Sequence, residues 1–500
     1  MSFEGGGVPE EDTKSPEIKK MEHLQKIEES EEEFPSEVIA EKLSDEEILS
    51  RIEENNVKQL LLEIANDPDF AEWDVRWYDK IVKLARIEDF ELLMGDSEKR
   101  KEQKEKFING EIEAPVLDYP KLDEGLESRE QAFLDLKEQI INDKYENKLV
   151  KQVYRWRINE EIAIVRMLKA TRDGDNRRFE KYAKFIYGSV DKGIFDFTRL
   201  EALEYAGVEE FINSDDPEIK ETAERLKENI TKGEINPIEL PDLKIPPVDL
   251  SDKEIHSAGI LKEACENALS EMKAEGWEII VTDKVTGVAI YHGEKAIKIP
   301  KKRKFSDKNI AGLIKHEIGT HLKRRIEGER SRLKLLGPFG LDRYLKGEEG
   351  VATYEQQKVS GAEEYSGFVG YFLAGLAEGI DGEPRTFKEV FEIMSDYLFL
   401  KNIKKGKKKE EAHEKAKNAA YNGCVRTFRG LSDLDETRGL QFPRDLTYRK
   451  GNIATWELVR QNPDVEMIFM LGKFDPNNPR HTYILTELGI TNKDLDYLQK

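Results

Sequence analysis

His316, Glu317 and His321 have the clearest chemical promise in the chain, within the string K-H-E-I-G-T-H-L at residues 315–322. Two imidazoles and a carboxylate on one helix are the parts of a hydrolytic zinc site. The histidine nitrogens hold the metal, and the glutamate takes a proton from the attacking water. The usual zinc-peptidase motif spaces its histidines four residues apart, roughly 40° out of register on an α-helix. Here they are five apart, roughly 140° by the same geometry. An ideal α-helix would aim the rings away from each other. A one-residue π-bulge between them restores convergence, such bulges occur mostly at functional sites, and Gly319 is placed to permit one. The competing reading makes both residues ordinary surface or core histidines. The chain has only seven histidines, which weakens that reading.

The helix that must carry these groups shows an apolar period at Ile310, Leu313, Ile314, Ile318, Leu322 and Ile326. Ser306 is placed to cap its start, and Asp307 suits the first turn. Just upstream, runs at 277–282, 287–291 and 296–300 are β-rich and separated by turn residues, which predicts an antiparallel meander. A helix is expected from about 252 to 274, preceded by the proline-rich stretch 236–248, an extended linker.

Residues 35–235 are expected to be mostly helical. Ile48, Ile52, Val57, Leu60, Leu61 and Ile64 share one face, as do Trp77, Ile81 and Leu84. A proline-free run at 130–168 predicts one long helix, and 114–120 an extended crossing segment. After the histidines the chain again reads as helical, with glycine-rich joints at 337–340, 347–350 and 379–382. Residues 1–34 read as a disordered acidic tail. The expected class is therefore α+β and mainly helical. Its parts are a tail (1–34), a helical region (35–235), a linker (236–250) and a catalytic domain with a small antiparallel sheet (251–500).

Five hundred residues exceed what one core usually organises. The net charge of −22 argues against nucleic acid as the main partner. Cys265 and Cys424, the only cysteines, match no zinc or redox spacing, which fits a reducing compartment. The N-terminus lacks the basic start and apolar core of a signal peptide. The most apolar stretch, 367–380, is interrupted by Glu378 and too short to span a bilayer. No membrane partner is expected, and the cytoplasm is the expected location.

Downstream of the histidines, Glu348, Glu349, Gly350, Val351 and Ala352 begin an apolar helix. Together with H-E-I-G-T-H this segment resembles the bacterial QEGLA-motif proteins. That family also contains the microtubule-associated tyrosine carboxypeptidases of animals, which remove the last tyrosine of α-tubulin. Further similarity lies at 155–167, 176–188, 277–300, 426–430 and 442–448, so the resemblance spans roughly 35–490. It implies a zincin-like metallopeptidase with His316, His321 and Glu349 on zinc and Glu317 as general base. Glu348 stands where the family has glutamine and is the alternative ligand. Dipeptidyl-peptidase III uses the same five-residue histidine spacing with a glutamate as third ligand. Two departures bear on substrate preference: Phe442-Pro443-Arg444-Asp445 replaces the family's Phe-Thr-Lys-Asp, and Val351 replaces a leucine.

Arg426, Arg429 and Arg444 are candidates to grip a C-terminal carboxylate, or else internal ion-pair partners of Asp433, Asp435 or Asp445. Tyr448 is a candidate donor to the oxyanion of a tetrahedral intermediate, or a packing tyrosine. The basic run 301–304 either attracts an acidic peptide or forms a solvated turn, and the lysines of 401–409 read as an exposed joint. One of the strands at 287–291 and 296–300 is an edge on which substrate backbone could add. His292 and His481 read as structural or exposed. The expected function is a zinc carboxypeptidase acting on an acidic or aromatic C-terminus. The alternatives are an aminopeptidase or dipeptidase on the same site, and a non-enzymatic metal-containing regulatory protein. An intact Glu317 speaks against the last.

Overall fold

The computed structural model describes residues 68–490, apart from 86–88, 121, 123–124, 146, 286, 292 and 489. The acidic tail, the helical face at 48–64 and His292 lie outside the described residues.

Helix α1 (Pro68–Leu84) buries Trp73, Trp77 and Ile81, four residues apart, as their period predicts. It is followed by α2 (Ser97–Ile108), α3 (Leu126–Ile141), α4 (Lys148–Asp173), α5 (Asn176–Tyr187), α6 (Lys192–Ala206), the short α7 (Val208–Phe211) and α8 (Pro217–Ile230). The single helix expected over 130–168 is instead two. Asn142 ends α3, and the Asn147 side chain caps α4 by accepting from the Val150 amide at 3.1 Å. Short amide side chains compete with helical bonding in this way, and the apolar period on either side masks the break. The crossing segment at 114–120 has no regular structure, nor does the linker at 236–250.

Helix α9 (Ala258–Glu271) starts later than expected, because His256 is drawn into a β-bridge with Phe305. Strands β1 (Glu278–Thr282), β2 (Ala289–Tyr291) and β3 (Ala296–Pro300) follow in the sheet order β1-β3-β2. The sheet is mixed rather than an antiparallel meander: β1 pairs with β3 in parallel and β2 with β3 antiparallel. Burial explains the order. Strand β3 is the most buried of the three, with Ile297 and Ile299 fully enclosed, so it takes the centre. The connection over 283–288 carries the chain past its end.

Ser306 caps α10 (Asp307–Leu313) as expected, in a reciprocal box with Asn309. A π-helix (Ile314–Leu322) and α11 (Lys323–Arg330) continue the same rod. The remaining helices are α12 (Leu345–Ser360), α13 (Phe368–Glu378), α14 (Phe387–Lys404), α15 (Lys409–Phe428), α16 (Leu446–Gln461) and α17 (Pro479–Glu487). Gly347 and Gly350 are not a joint but lie inside α12. A side chain on Gly347 would strike Asp475, and one on Gly350 would strike the backbone of Gly451, so both serve close packing.

The larger apolar core joins α1–α8 to α13–α15. A smaller one wraps α9 and the sheet around Ile318 and Leu322 of the π-helix. Residues 61–500 form one compact unit. The described chain is mainly helical with a small mixed sheet, an α+β fold. Among the described residues no helix is long and apolar enough to cross a membrane.

Candidate metal centre

The π-helix resolves the spacing problem. Its bonds run five residues back rather than four, so positions five apart stack on one face. His316 and His321 therefore converge, with their Nε2 atoms 3.1 Å apart. The widening extends over nine residues, from Ile314 to Leu322, and is not a one-residue bulge at Gly319. Thr320 follows the same pattern, its hydroxyl donating to the Lys315 carbonyl at 2.9 Å.

Helix α12 crosses this face and supplies Glu349. Its Oε2 lies 3.8 Å from His316 Nε2 and 3.6 Å from His321 Nε2. That oxygen is buried and has no hydrogen-bond partner. The three ligand atoms lie within 4.8 Å of one another. A tetrahedral ion about 2.0–2.1 Å from each donor would hold the donors about 3.3–3.4 Å apart. The observed separations bracket that value. Two imidazoles and an unpartnered carboxylate thus fit a divalent cation, and the nitrogen-rich set favours a borderline metal over calcium or magnesium.

Glu348 faces the other way, because adjacent helical residues point roughly 100° apart. Its Oε1 is 2.9 Å from His321 Nδ1, and its Oε2 is 2.7 Å from Arg324 Nη1. It stands behind His321, and the converging set is His316, His321 and Glu349.

The electrostatics follow from burial and crowding. Burial and the neighbouring His321 push His316 down to about 4. Burial also opposes charge on His321, but Glu349 and Glu348 outweigh it and carry the imidazole up to about 10. Burial, helped by Glu349 and opposed by His321, raises Glu317 to about 7.

Arg444 sits in a 3₁₀ turn (Pro443–Asp445) that leads into α16, and Tyr448 follows one turn later. Both lie in the field of Glu349. That carboxylate, followed by burial, pushes the Tyr448 hydroxyl well above its usual range. Burial opposes the charge on Arg444, while Tyr448, Tyr187 and Glu349 sustain it. Arg429 is placed differently. It is buried, which lowers it to about 10, and its charged neighbours are Asp445, Arg444 and Arg426, with Tyr119 alongside. Arg426 pairs with Asp445 at 2.8 Å.

Strand β2 is an edge and β3 is not. Residues 301–304 are exposed, in a turn at their start, and the joint between α14 and α15 is largely exposed. His481 is structural: it is fully buried, and its Nδ1 accepts from the Asp475 amide at 3.0 Å.

Sequence reasoning missed several supporting groups. Arg324 lies three residues after His321, a helical neighbour whose spacing could have been read. Lys473 comes from a distant loop, with its Nζ 3.7 Å from Glu348 Oε1, and no local pattern announces it. Thr353 and Gln357 are one turn apart on α12, and both accept from the Asn452 amide of α16. Gln357 also accepts from the Trp456 indole at 2.8 Å. The spacing of the first pair is visible in the chain, whereas its partners on α16 are not.

No curated protein and no solved structure matches the chain. Residues 204–360 match the family described as microtubule-associated tyrosine carboxypeptidase, so the segment that supplies His316, His321 and Glu349 belongs to the family its motifs resemble.

Proposed function

We propose that this chain is a zinc-dependent metallopeptidase that acts as a carboxypeptidase, with a zincin-like catalytic region. The observation that carries the reading is the meeting of His316, His321 and Glu349 on a helix widened over their span. The matched family is one of carboxypeptidases.

His316, His321 and Glu349 would hold the ion. Bound zinc supplies Lewis acidity, which polarises a carbonyl and makes water easier to deprotonate. Glu317 adjoins His316 but is not one of the three converging groups, which leaves its carboxylate free to act as base. It takes the proton of the attacking water and passes it to the departing amine, so the peptide bond is cleaved with no net proton change at the residue. Tyr448 keeps its proton and donates to the oxygen that gains charge in the transition state. Arg444 anchors the substrate's terminal carboxylate, a task that suits a planar guanidinium able to form two parallel hydrogen bonds. Arg429 supports this cationic wall from behind Asp445. Edge strand β2 offers unpaired backbone to an extended peptide. The substrate class is a peptide or protein tail with an acidic or aromatic C-terminus, met in the cytoplasm.

An aminopeptidase would need a carboxylate placed to hold a free amine. Arg444 beside Glu349 favours the opposite polarity. Cleavage-site profiling on a peptide mixture tests the reading, with chelated protein as the control. Zinc-dependent release of single C-terminal residues is the expected result. Release from the N-terminus, or no cleavage by zinc-loaded protein, would overturn it.

A further inference from the structure

We infer that Glu348 is a positioning residue for the metal centre: clamped by two buried cations, it fixes the His321 ring and strengthens its Nε2 as a donor. The inference rests on the metal reading above and goes beyond its ligands and base.

The geometry has three layers. His321 presents Nε2 to His316 and Glu349, while its Nδ1 meets Glu348 Oε1 at 2.9 Å. A ring held through Nδ1–H by a carboxylate has a single tautomer and a single orientation, and its other nitrogen is the more basic for it. Glu348 is itself buried, which is costly for a carboxylate unless it is paired. Arg324 Nη1 lies 2.7 Å from Oε2, and Lys473 Nζ lies 3.7 Å from Oε1. Arg324 is in turn fixed. Its Nε donates to the Gly472 carbonyl at 2.8 Å and its Nη2 to the Phe474 carbonyl at 2.6 Å.

The loop at 472–474 therefore sets Arg324, Arg324 sets Glu348, and Glu348 sets His321. His316 has no such support, since its Nδ1 is buried without a hydrogen-bond partner. The two histidines are thus unequal: His321 is the oriented, stronger donor. A glutamine at position 348 could still accept from Nδ1–H, but it would bring no charge to raise the donor strength and none to answer Arg324 and Lys473.

The test compares full-length wild type with Glu348→Gln and with the double variant Glu348→Gln/Arg324→Met. The double variant removes both charges and guards against a fold lost to an unpaired buried guanidinium. Zinc affinity is read by chelator competition, and the His321 Nδ1–H resonance is followed in zinc-loaded, ¹⁵N-histidine-labelled protein. Both variants are expected to fold and to bind zinc about 10- to 100-fold more weakly, with the Nδ1–H resonance moved upfield. Wild-type affinity in both variants, or an unmoved resonance, overturns the inference while leaving the metal site intact. Loss of zinc as complete as in His321→Ala would instead make Glu348 a ligand. Failure of wild type to bind zinc would overturn the functional reading itself.

Discussion

Gly350 and Gly451 stand in backbone contact. A Cβ on Gly350 would lie 2.5 Å from the Gly451 carbonyl oxygen, and one on Gly451 would overlap the Lys346 carbonyl oxygen. Helices α12 and α16 can approach this closely only because neither glycine has a side chain, and the approach brings Tyr448 within the field of Glu349. Gly451→Ala must push the helices apart. A loss of about 1–3 kcal/mol is expected from such overpacking, measured by equilibrium denaturation. Peptide hydrolysis should fall further than folding alone accounts for. A wild-type unfolding midpoint would refute the contact.

Metal content is the most direct check on the centre. Purified protein should carry about one zinc per chain through two histidines and one glutamate, the usual open catalytic set. His316→Ala and His321→Ala should each lose it, by elemental analysis after dialysis. Full occupancy in the double variant would sink the assignment.

Base and ligand separate by paired glutamine substitutions. Glu317→Gln keeps size and polarity but removes the proton acceptor. It should fold and retain zinc, yet lose hydrolysis by about 10²- to 10⁴-fold. Glu349→Gln removes a charged ligand, so metal affinity and activity should fall together. The reverse pattern in zinc content would show that the two roles had been exchanged.

Arg444 should discriminate between free and blocked C-termini. A charge-assisted hydrogen bond is worth about 1.5–3 kcal/mol, so Arg444→Gln should lower kcat/KM by roughly 10- to 150-fold on peptides with a free carboxylate. On C-terminally amidated peptides, which have no carboxylate to grip, the substitution should change little. Equal losses on both series would assign Arg444 to packing.

The local parts of the fold were legible because their causes are local. The Ser306 cap, the period of Trp77 and Ile81, and the proline-rich linker each depend on neighbours in the chain. The five-residue spacing of His316 and His321 demanded a departure from α geometry, although its nine-residue extent was not readable. The sheet order was lost because it depends on which strand is most enclosed, and β3 wins only once α9 and the π-helix cover it. Gly347 and Gly350 resembled a joint because glycine is the residue of both turns and tight crossings; only Asp475 and Gly451, both remote in the chain, distinguish the two. Lys473 was invisible for the same reason.

The π-helix also changes what chain length means at this site. In an α-helix an added residue rotates everything beyond it by roughly 100°, which would turn Arg324 away from Glu348. Here the wider turn takes up the fifth residue between the histidines, and α11 leaves in phase with its partners. Removal of Gly319 would leave the histidines four apart, and a return to α bonding would bring their rings within roughly 40° of register. The segment is thus an insertion that the backbone has made silent, and two spacings of the same motif can reach one arrangement of ligands.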